Sequence, residues 1–278
     1  MTKDPYKQQT RNGVLFKQLL QYRESGFLLG AGSPAGSDSE SNASPSGIVQ
    51  GHAYSILDVQ EVDAIQLVRL RNPWGRKEWT GDWSDHSDKW TRRMKAKLGH
   101  VEKDDGAFWM SMIDFSIHFE EIYVARFFDE QWISQPIIRG EWAGPTAGGC
   151  TNFDSVKDNP QFLLTVTQPN TSVVINLSQT DSRGTSGKLK PIAVEVYSNK
   201  GQRVTRTRTG PLVCSNPDSY IYRREVAVDH VFQPGKAPYT VLISTFNQKE
   251  ETKFAISVYS SAPITFEVAP PVTVAAKK

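Results

Sequence analysis

Gly51-His52-Ala53-Tyr54-Ser55-Ile56-Leu57-Asp58-Val59-Gln60-Glu61-Val62, then Asp63-Ala64, then Ile65-Gln66-Leu67-Val68-Arg69-Leu70-Arg71-Asn72-Pro73-Trp74-Gly75, is the stretch on which fold and chemistry both turn. Ala53 to Val62 and Ile65 to Trp74 are rich in Val, Ile, Leu and Tyr, which predicts a β-hairpin with Asp63 and Ala64 between its strands. Side chains on a strand alternate between faces. His52, Tyr54 and Ile56 therefore share one face, as do Val68, Leu70 and Asn72. A three-residue turn centred on Ala64 sets Asn72 opposite Ile56 and puts both sets on the same side of the ribbon. A two-residue turn puts His52 and Asn72 on opposite faces. The first register brings an imidazole and a carboxamide together at the open end of the hairpin. There the amide can accept from one ring nitrogen, fix the tautomer and aim the other nitrogen at a thiol. Trp74 would cover that bond and keep water off it. These are two members of a Cys-His-Asn hydrolase, and no cysteine precedes His52.

Working outward, Leu15, Phe16, Leu19, Leu20 and Tyr22 recur at helical spacing over Val14 to Glu24, with Gly26 as a stop. Ala31 to Gly47 is Gly-, Ser- and Pro-rich and reads as a surface loop beside the hairpin, either a plain connector or a gate over a substrate cleft. Five of the seven tryptophans fall between residues 74 and 109, and Trp79, Trp83, Trp90 and Trp109 are expected to form a local core. Asp114 to Phe119 reads as a short helix and Glu121 to Phe128 as a strand closing a first domain over 1–130. Beyond Gln131, apolar strands alternate with turn signals: 162–167, 173–177, 192–197, 225–232, 239–246, 254–259 and 264–268. Seven short strands without helical pattern indicate an antiparallel β-sandwich over 131–269. The tail 270–278 is expected to be disordered. The fold class is mainly β with some α.

A net charge of +2 gives no basis for a nucleic-acid partner. The first 130 residues carry 16 basic and 19 acidic groups and the remainder 16 and 11, so the second half is mildly basic and suited to anionic lipid. No apolar run approaches the ~20 residues of a membrane span, and Met1-Thr2-Lys3-Asp4-Pro5 has no apolar signal core. Cys150 and Cys214 are too few for a disulfide framework. A cytoplasmic location is expected.

Three blocks then carry a family resemblance: Gly51-His52-Ala53-Tyr54-Ser55, Arg69-Leu70-Arg71-Asn72-Pro73-Trp74-Gly75 and Glu78-Trp79-Thr80-Gly81-Asp82-Trp83-Ser84-Asp85. Phe108-Trp109-Met110-Ser111, Asp114-Phe115, Gly148-Gly149-Cys150 and Asn159-Pro160-Gln161-Phe162 extend it. Over roughly residues 14 to 265 the chain resembles the second half of a calpain protease core, a papain-like subdomain, followed by a C2-like β-sandwich. The segment from Gly30 to Gln50 is most similar to the plant-type branch. The resemblance implies thiol acyl transfer on protein substrates. A cysteine attacks as the thiolate, His52 protonates the leaving amine, Asn72 orients His52 and Trp74 shields the pair. In calpains the cysteine and an oxyanion-stabilising glutamine lie in a preceding subdomain, which is missing here, so this chain alone is expected to be inactive. The resemblance also implies calcium, with Glu78, Asp85 and Asp105 as carboxylate ligands and Lys103 as a carbonyl ligand. Ala107 stands where the family often has another acid, which should weaken binding.

Two other functions compete. One is a non-enzymatic calcium-responsive module that binds lipid or protein through the sandwich. The other is a hydrolase using Cys150, disfavoured because Cys150 follows two glycines and precedes strand-like sequence rather than opening a helix. Cys214 sits in a Pro-containing loop, and His86, His100, His118 and His230 have spacings that fit no zinc set.

Overall fold

The computed structural model describes residues 13–39, 41, 43–180, 187–236 and 238–271. The expected disordered tail lies outside the described residues from 272 onward. The chain forms two compact units, residues 1–127 and 128–278.

In the first unit, helix α1 (Val14–Glu24) buries Leu15, Phe16, Leu19 and Tyr22, the apolar stripe that its spacing predicts. It ends where Gly26 takes φ +74° and the Phe27 amide returns to the Tyr22 carbonyl. Strands β1 (Leu28–Gly32), β2 (Ala53–Val62), β3 (Ile65–Arg71), β4 (Ala107–Ser111) and β5 (Glu121–Ala125) form one antiparallel sheet in the order β4-β3-β2-β1-β5. Helix α2 (Arg92–Leu98) starts on the Thr91 hydroxyl and helix α3 (Met112–His118) on that of Ser111, each accepting a backbone amide. The tryptophans divide between two cores. Trp79 joins the main one with Tyr54, Leu70 and Phe108, while Trp83, Trp90 and Trp109 enclose Met94 and Leu67.

The hairpin turn differs from the three-residue expectation. Val62 pairs directly with Ile65, so the turn has two residues, and Asp63 and Ala64 take φ +55° and +64° as a tight hairpin turn requires. A β-bulge compensates. Ile56 pairs with Leu70 but Asp58 with Arg69, leaving Leu57 as an extra residue. The burial pattern switches parity there, with Tyr54 and Ile56 facing the main core before it and Val59 facing the same core after it, while Val62 enters the second core on the opposite face. One unpaired residue thus returns His52 and Asn72 to the same face, and the continued register sets Asn72 beside Tyr54 rather than Ile56.

The second unit is a sandwich of two antiparallel sheets. One has the order β11-β10-β13-β8-β15, from β8 (Gln161–Val166), β10 (Ile192–Tyr197), β11 (Leu212–Ser215), β13 (Tyr239–Thr245) and β15 (Ile264–Val268). The other joins β12 (Glu225–Phe232), β9 (Thr171–Gln179), β14 (Thr252–Ser260) and β6 (Ile133–Ser134), with β7 (Ile138–Trp142) also on β14. Trp142, fully buried, packs on Phe254 and donates its indole N–H to the Ile243 carbonyl at 3.3 Å. The Gly148-Gly149-Cys150 and Asn159 motifs are architectural. The buried Asn159 carboxamide accepts from Gly148 N at 3.1 Å and donates to Gly149 O at 2.7 Å.

Candidate active site

His52 precedes β2 and Asn72 follows β3, and the bulged hairpin brings them into contact. The His52 Nε2 to Asn72 Oδ1 distance is 2.9 Å, with His52 6% and Asn72 0% exposed. The orientation of the amide is set by its other partners. Asn72 Oδ1 accepts from Trp74 N at 3.0 Å, and Nδ2 donates to the Lys77 carbonyl at 3.3 Å. With the oxygen so placed, Nε2 is the ring donor, and Nδ1 is left for chemistry. The Asn72 backbone is pinned as well, its amide donating to Gly106 O at 2.8 Å and its carbonyl accepting from Gly75 N at 3.0 Å. Trp74 lies over the imidazole at 4.3 Å between ring centroids, and Tyr54 meets it edge-on at 5.0 Å. Burial, with the Asp38 carboxylate adding to it, raises the Tyr54 phenol above its ordinary value even though its oxygen accepts from Val49 N.

Nδ1 carries a contact that the sequence reading missed: Asp38 Oδ1 at 2.7 Å. The only hint in the sequence is an acid in a Ser- and Gly-rich loop just upstream of the histidine. Ser33 fixes the base of that loop. Its hydroxyl donates to Val49 O at 2.7 Å and accepts from His52 N at 2.9 Å. An open cleft of about 340 Å³ borders His52, lined by Gly32, Ser33, Gly51, Glu120, Glu121 and Tyr123 among others. A Cβ on Gly32 would sit 2.9 Å from the Tyr123 hydroxyl and 3.3 Å from Glu121 Cβ, so a side chain there would push on both and narrow the cleft.

Glu78, Asp85, Lys103 and Asp105 come together in facing loops, but the carboxylates are turned onto N–H groups. Glu78 Oε1 accepts from Asp105 N at 3.1 Å and Gly106 N at 2.7 Å. Asp85 Oδ2 accepts from Lys103 N at 2.8 Å. Asp105 accepts from Ala107 N and pairs with the Lys103 ammonium at 3.2 Å. Among the described residues no three acid, imidazole or thiol groups converge as metal ligands. As arranged, this set does not fit the six to eight oxygens of a calcium shell. Its visible role is to tie the loops beside Asn72 together.

Burial, reinforced by Asp85 and Asp104, raises the Glu78 carboxyl above its ordinary value against the pull of the two amides. The folded state therefore holds this proton more tightly than the unfolded chain does, and Glu78 erodes stability as pH rises above the unfolded value of 4.5. Glu78→Gln keeps the acceptor and removes the charge, so urea midpoints should show it gaining on the wild type between pH 4 and pH 7. Glu78→Ala leaves two amides unpaired and should cost about 1–3 kcal/mol at either pH. A Gln variant that loses ground as pH rises would contradict this assignment.

Other sequence candidates are structural. His100 stacks on Trp90 at 4.0 Å and His118 packs on Trp79, and burial lowers both imidazoles below their ordinary value. His86 is exposed beside Glu102, and His230 packs edge-on against Phe232. Cys150 is 3% exposed, and burial pushes the Cys214 thiol up to about 12. Neither should label with iodoacetamide at pH 7.5 until denaturant is added. Fast native labelling of Cys150, read by peptide mass mapping, would reinstate it as a nucleophile.

Two family models cover the chain. "Calpain family cysteine protease" matches residues 2–126, and "Calpain large subunit, domain III" matches residues 138–259. Similar proteins include "Calpain-type cysteine protease ADL1" of Oryza sativa subsp. japonica, 41% identical over 92% of this chain. "Calpain-type cysteine protease DEK1" of Arabidopsis thaliana is 40% identical over the same share, and mouse "Calpain-5" is 28% identical over 92%. The chain spans 12% of the length of those two plant proteins and 44% of the mouse protein.

Proposed function

The chain belongs to the calpain family of cysteine proteases, and from that premise we propose that its first unit supplies the base and the orienting amide of a cysteine endopeptidase whose nucleophile comes from another segment. The observation that carries this is the 2.9 Å bond from His52 Nε2 to an Asn72 amide whose orientation is fixed on both sides. That bond leaves Nδ1 to take the proton of an incoming thiol. The thiolate attacks the peptide carbonyl, and the imidazolium returns the proton to the leaving amine. A water activated by the same nitrogen then hydrolyses the thioester. Asn72 holds the ring in the tautomer that this needs, and Trp74 screens the bond from water.

Both cysteines lie in the second unit, one buried and one with a thiol raised far above neutrality, which supports an external nucleophile. Calcium, expected from the family, enters no step here, since the acid set as arranged does not fit it. The β-sandwich is read as C2-like, with protein substrates and anionic lipid as its candidate partners, and the location as cytoplasmic.

The test is reconstitution. A folded cysteine-bearing calpain core subdomain is mixed with or fused to this chain and assayed on casein-like substrates with and without calcium. Turnover supports the reading. No turnover with both halves folded overturns it and favours a binding module, for which calcium-dependent liposome sedimentation that survives His52→Ala would be the positive sign.

A further inference from the structure

We propose that Asp38 occupies the station of the attacking thiol, so that the 33–39 segment keeps the imidazole engaged until a thiol displaces its carboxylate. This rests on reading His52 and Asn72 as the base pair of a cysteine peptidase. Nε2 is committed to Asn72, so a thiol can address the ring only through Nδ1. Nδ1 already faces the Asp38 carboxylate at 2.7 Å. With an oxygen acceptor on each side, the ring is fully bonded only as the imidazolium. A carboxylate against an imidazolium copies the charges of the thiolate–imidazolium pair that a cysteine would form there.

The backbone holds the segment in place. Ser33 N donates to His52 O at 3.0 Å and Gly51 N to Pro34 O at 2.7 Å. Gly51 takes φ +67°, and a Cβ on it would lie 2.2 Å from Gly36 O, so only glycine allows this approach. The contact is asymmetric in exposure. The Asp38 side chain is 57% exposed, against 5% for His52. The carboxylate is therefore reachable from solvent, and an ion pair with one exposed partner is weak enough to give way. The result is an autoinhibitory contact in which a loop acid stands in for the nucleophile.

Two measurements on this chain alone test it. Asp38→Cys puts a thiol at the proposed station, where pairing with the imidazolium should activate it. Its alkylation by iodoacetamide at pH 6 should be about ten-fold or more faster than in the double variant Asp38→Cys/His52→Gln. Peptide mapping separates it from Cys150 and Cys214, and circular dichroism confirms that both variants fold. Equal rates overturn the proposal. Second, diethyl pyrocarbonate should acylate His52 about five-fold or more faster in Asp38→Ala than in the wild type, because Nδ1 is uncovered. An unchanged rate overturns the autoinhibitory role. Failure of the peptidase reading itself would appear elsewhere, as absent turnover in the reconstituted enzyme, with both of these results intact.

Discussion

In the reconstituted enzyme, His52→Ala is expected to lower kcat by about 10⁴-fold while moving the urea midpoint of the first unit little. General-base transfer contributes about 10²–10⁴-fold, and in the proposed mechanism the same ring also holds the thiolate and protonates the leaving group. Removing it takes all three roles at once, which sets the estimate at the top of that range. The ring's contacts are with Asn72, Trp74, Tyr54 and Asp38. None of these carries the hairpin backbone, so the fold should survive. Asn72→Ala should behave differently. It loses the tautomer lock, for about 10²-fold in kcat, and also orphans Trp74 N and the Lys77 carbonyl, for about 1–3 kcal/mol of stability. A His52→Ala enzyme that keeps more than a tenth of wild-type kcat would mean that another group is the base.

The contrast between these variants separates two readings of the same motif. If the Gly51–Ser55 and Asn72–Gly75 segments were architecture without chemistry, the two substitutions would differ only in stability. The geometry argues against that. A carboxamide serving only the fold has no need of a nearly enclosed imidazole, and the imidazole makes no side-chain bond that braces a strand. By contrast, the Asn159 carboxamide in the second unit is an architectural amide, since all its partners are backbone groups of its own loop.

Much of this was legible in the residues, and the parts that were not have a common cause. Apolar runs bounded by turn signals marked β2, β10, β12 and β15 to the residue, and helical spacing marked α1. Strand β1 was hidden because Leu28-Leu29-Gly30-Ala31-Gly32 has two glycines and no alternation. It is a strand because β2 and β5 pair with it on both sides. Strand β4, Ala107-Phe108-Trp109-Met110-Ser111, is apolar up to its last residue because it has core on both faces, Phe108 and Met110 in one of the tryptophan-containing clusters and Trp109 in the other. Helix α2 carries a single buried residue, Met94, too little for a periodic signal. The His52–Asn72 contact was readable, but the route to it was not. Parity demanded an odd residue in the hairpin, and sequence chemistry placed it in the turn. Asp63-Ala64 lacks the glycine that usually marks a two-residue turn, and nothing about Leu57 marks a bulge. The Asp38 contact was out of reach for the same reason, since it depends on the path of a loop rather than on any pattern of residue types.

Deleting Leu57 should therefore leave the site in place, whereas deleting Ser55 as well should destroy it. Leu57 is 46% exposed, and Leu57→Ala, which keeps the bulge, should change stability by no more than about 0.5 kcal/mol. Deleting Leu57 joins Ile56 directly to Asp58. Ile56 already pairs with Leu70 and Asp58 with Arg69, so the ladder closes into regular pairing and no side chain changes face. Tyr54 and Ile56 keep the core, and His52 stays beside Asn72. Once the bulge is gone the strand has no residue to spare. Removing Ser55 too sets Tyr54 opposite Arg71, and the segment from His52 to Tyr54 turns over. Tyr54 leaves the core, at about 2 kcal/mol or more, and His52 turns away from Asn72, which is the arrangement that a full-length strand with a two-residue turn and no bulge would impose. The proton on His52 Nε2, shielded in the wild type by Asn72 and Trp74, should persist in the downfield proton spectrum of the single deletion and vanish from that of the double, whose urea midpoint should also fall. A single deletion that loses that proton would show that the site needs the bulge itself, and a double deletion that keeps it would show that strand parity does not set the contact. Together the variants separate what Leu57 contributes as a side chain, which is little, from the spare residue that it gives the strand.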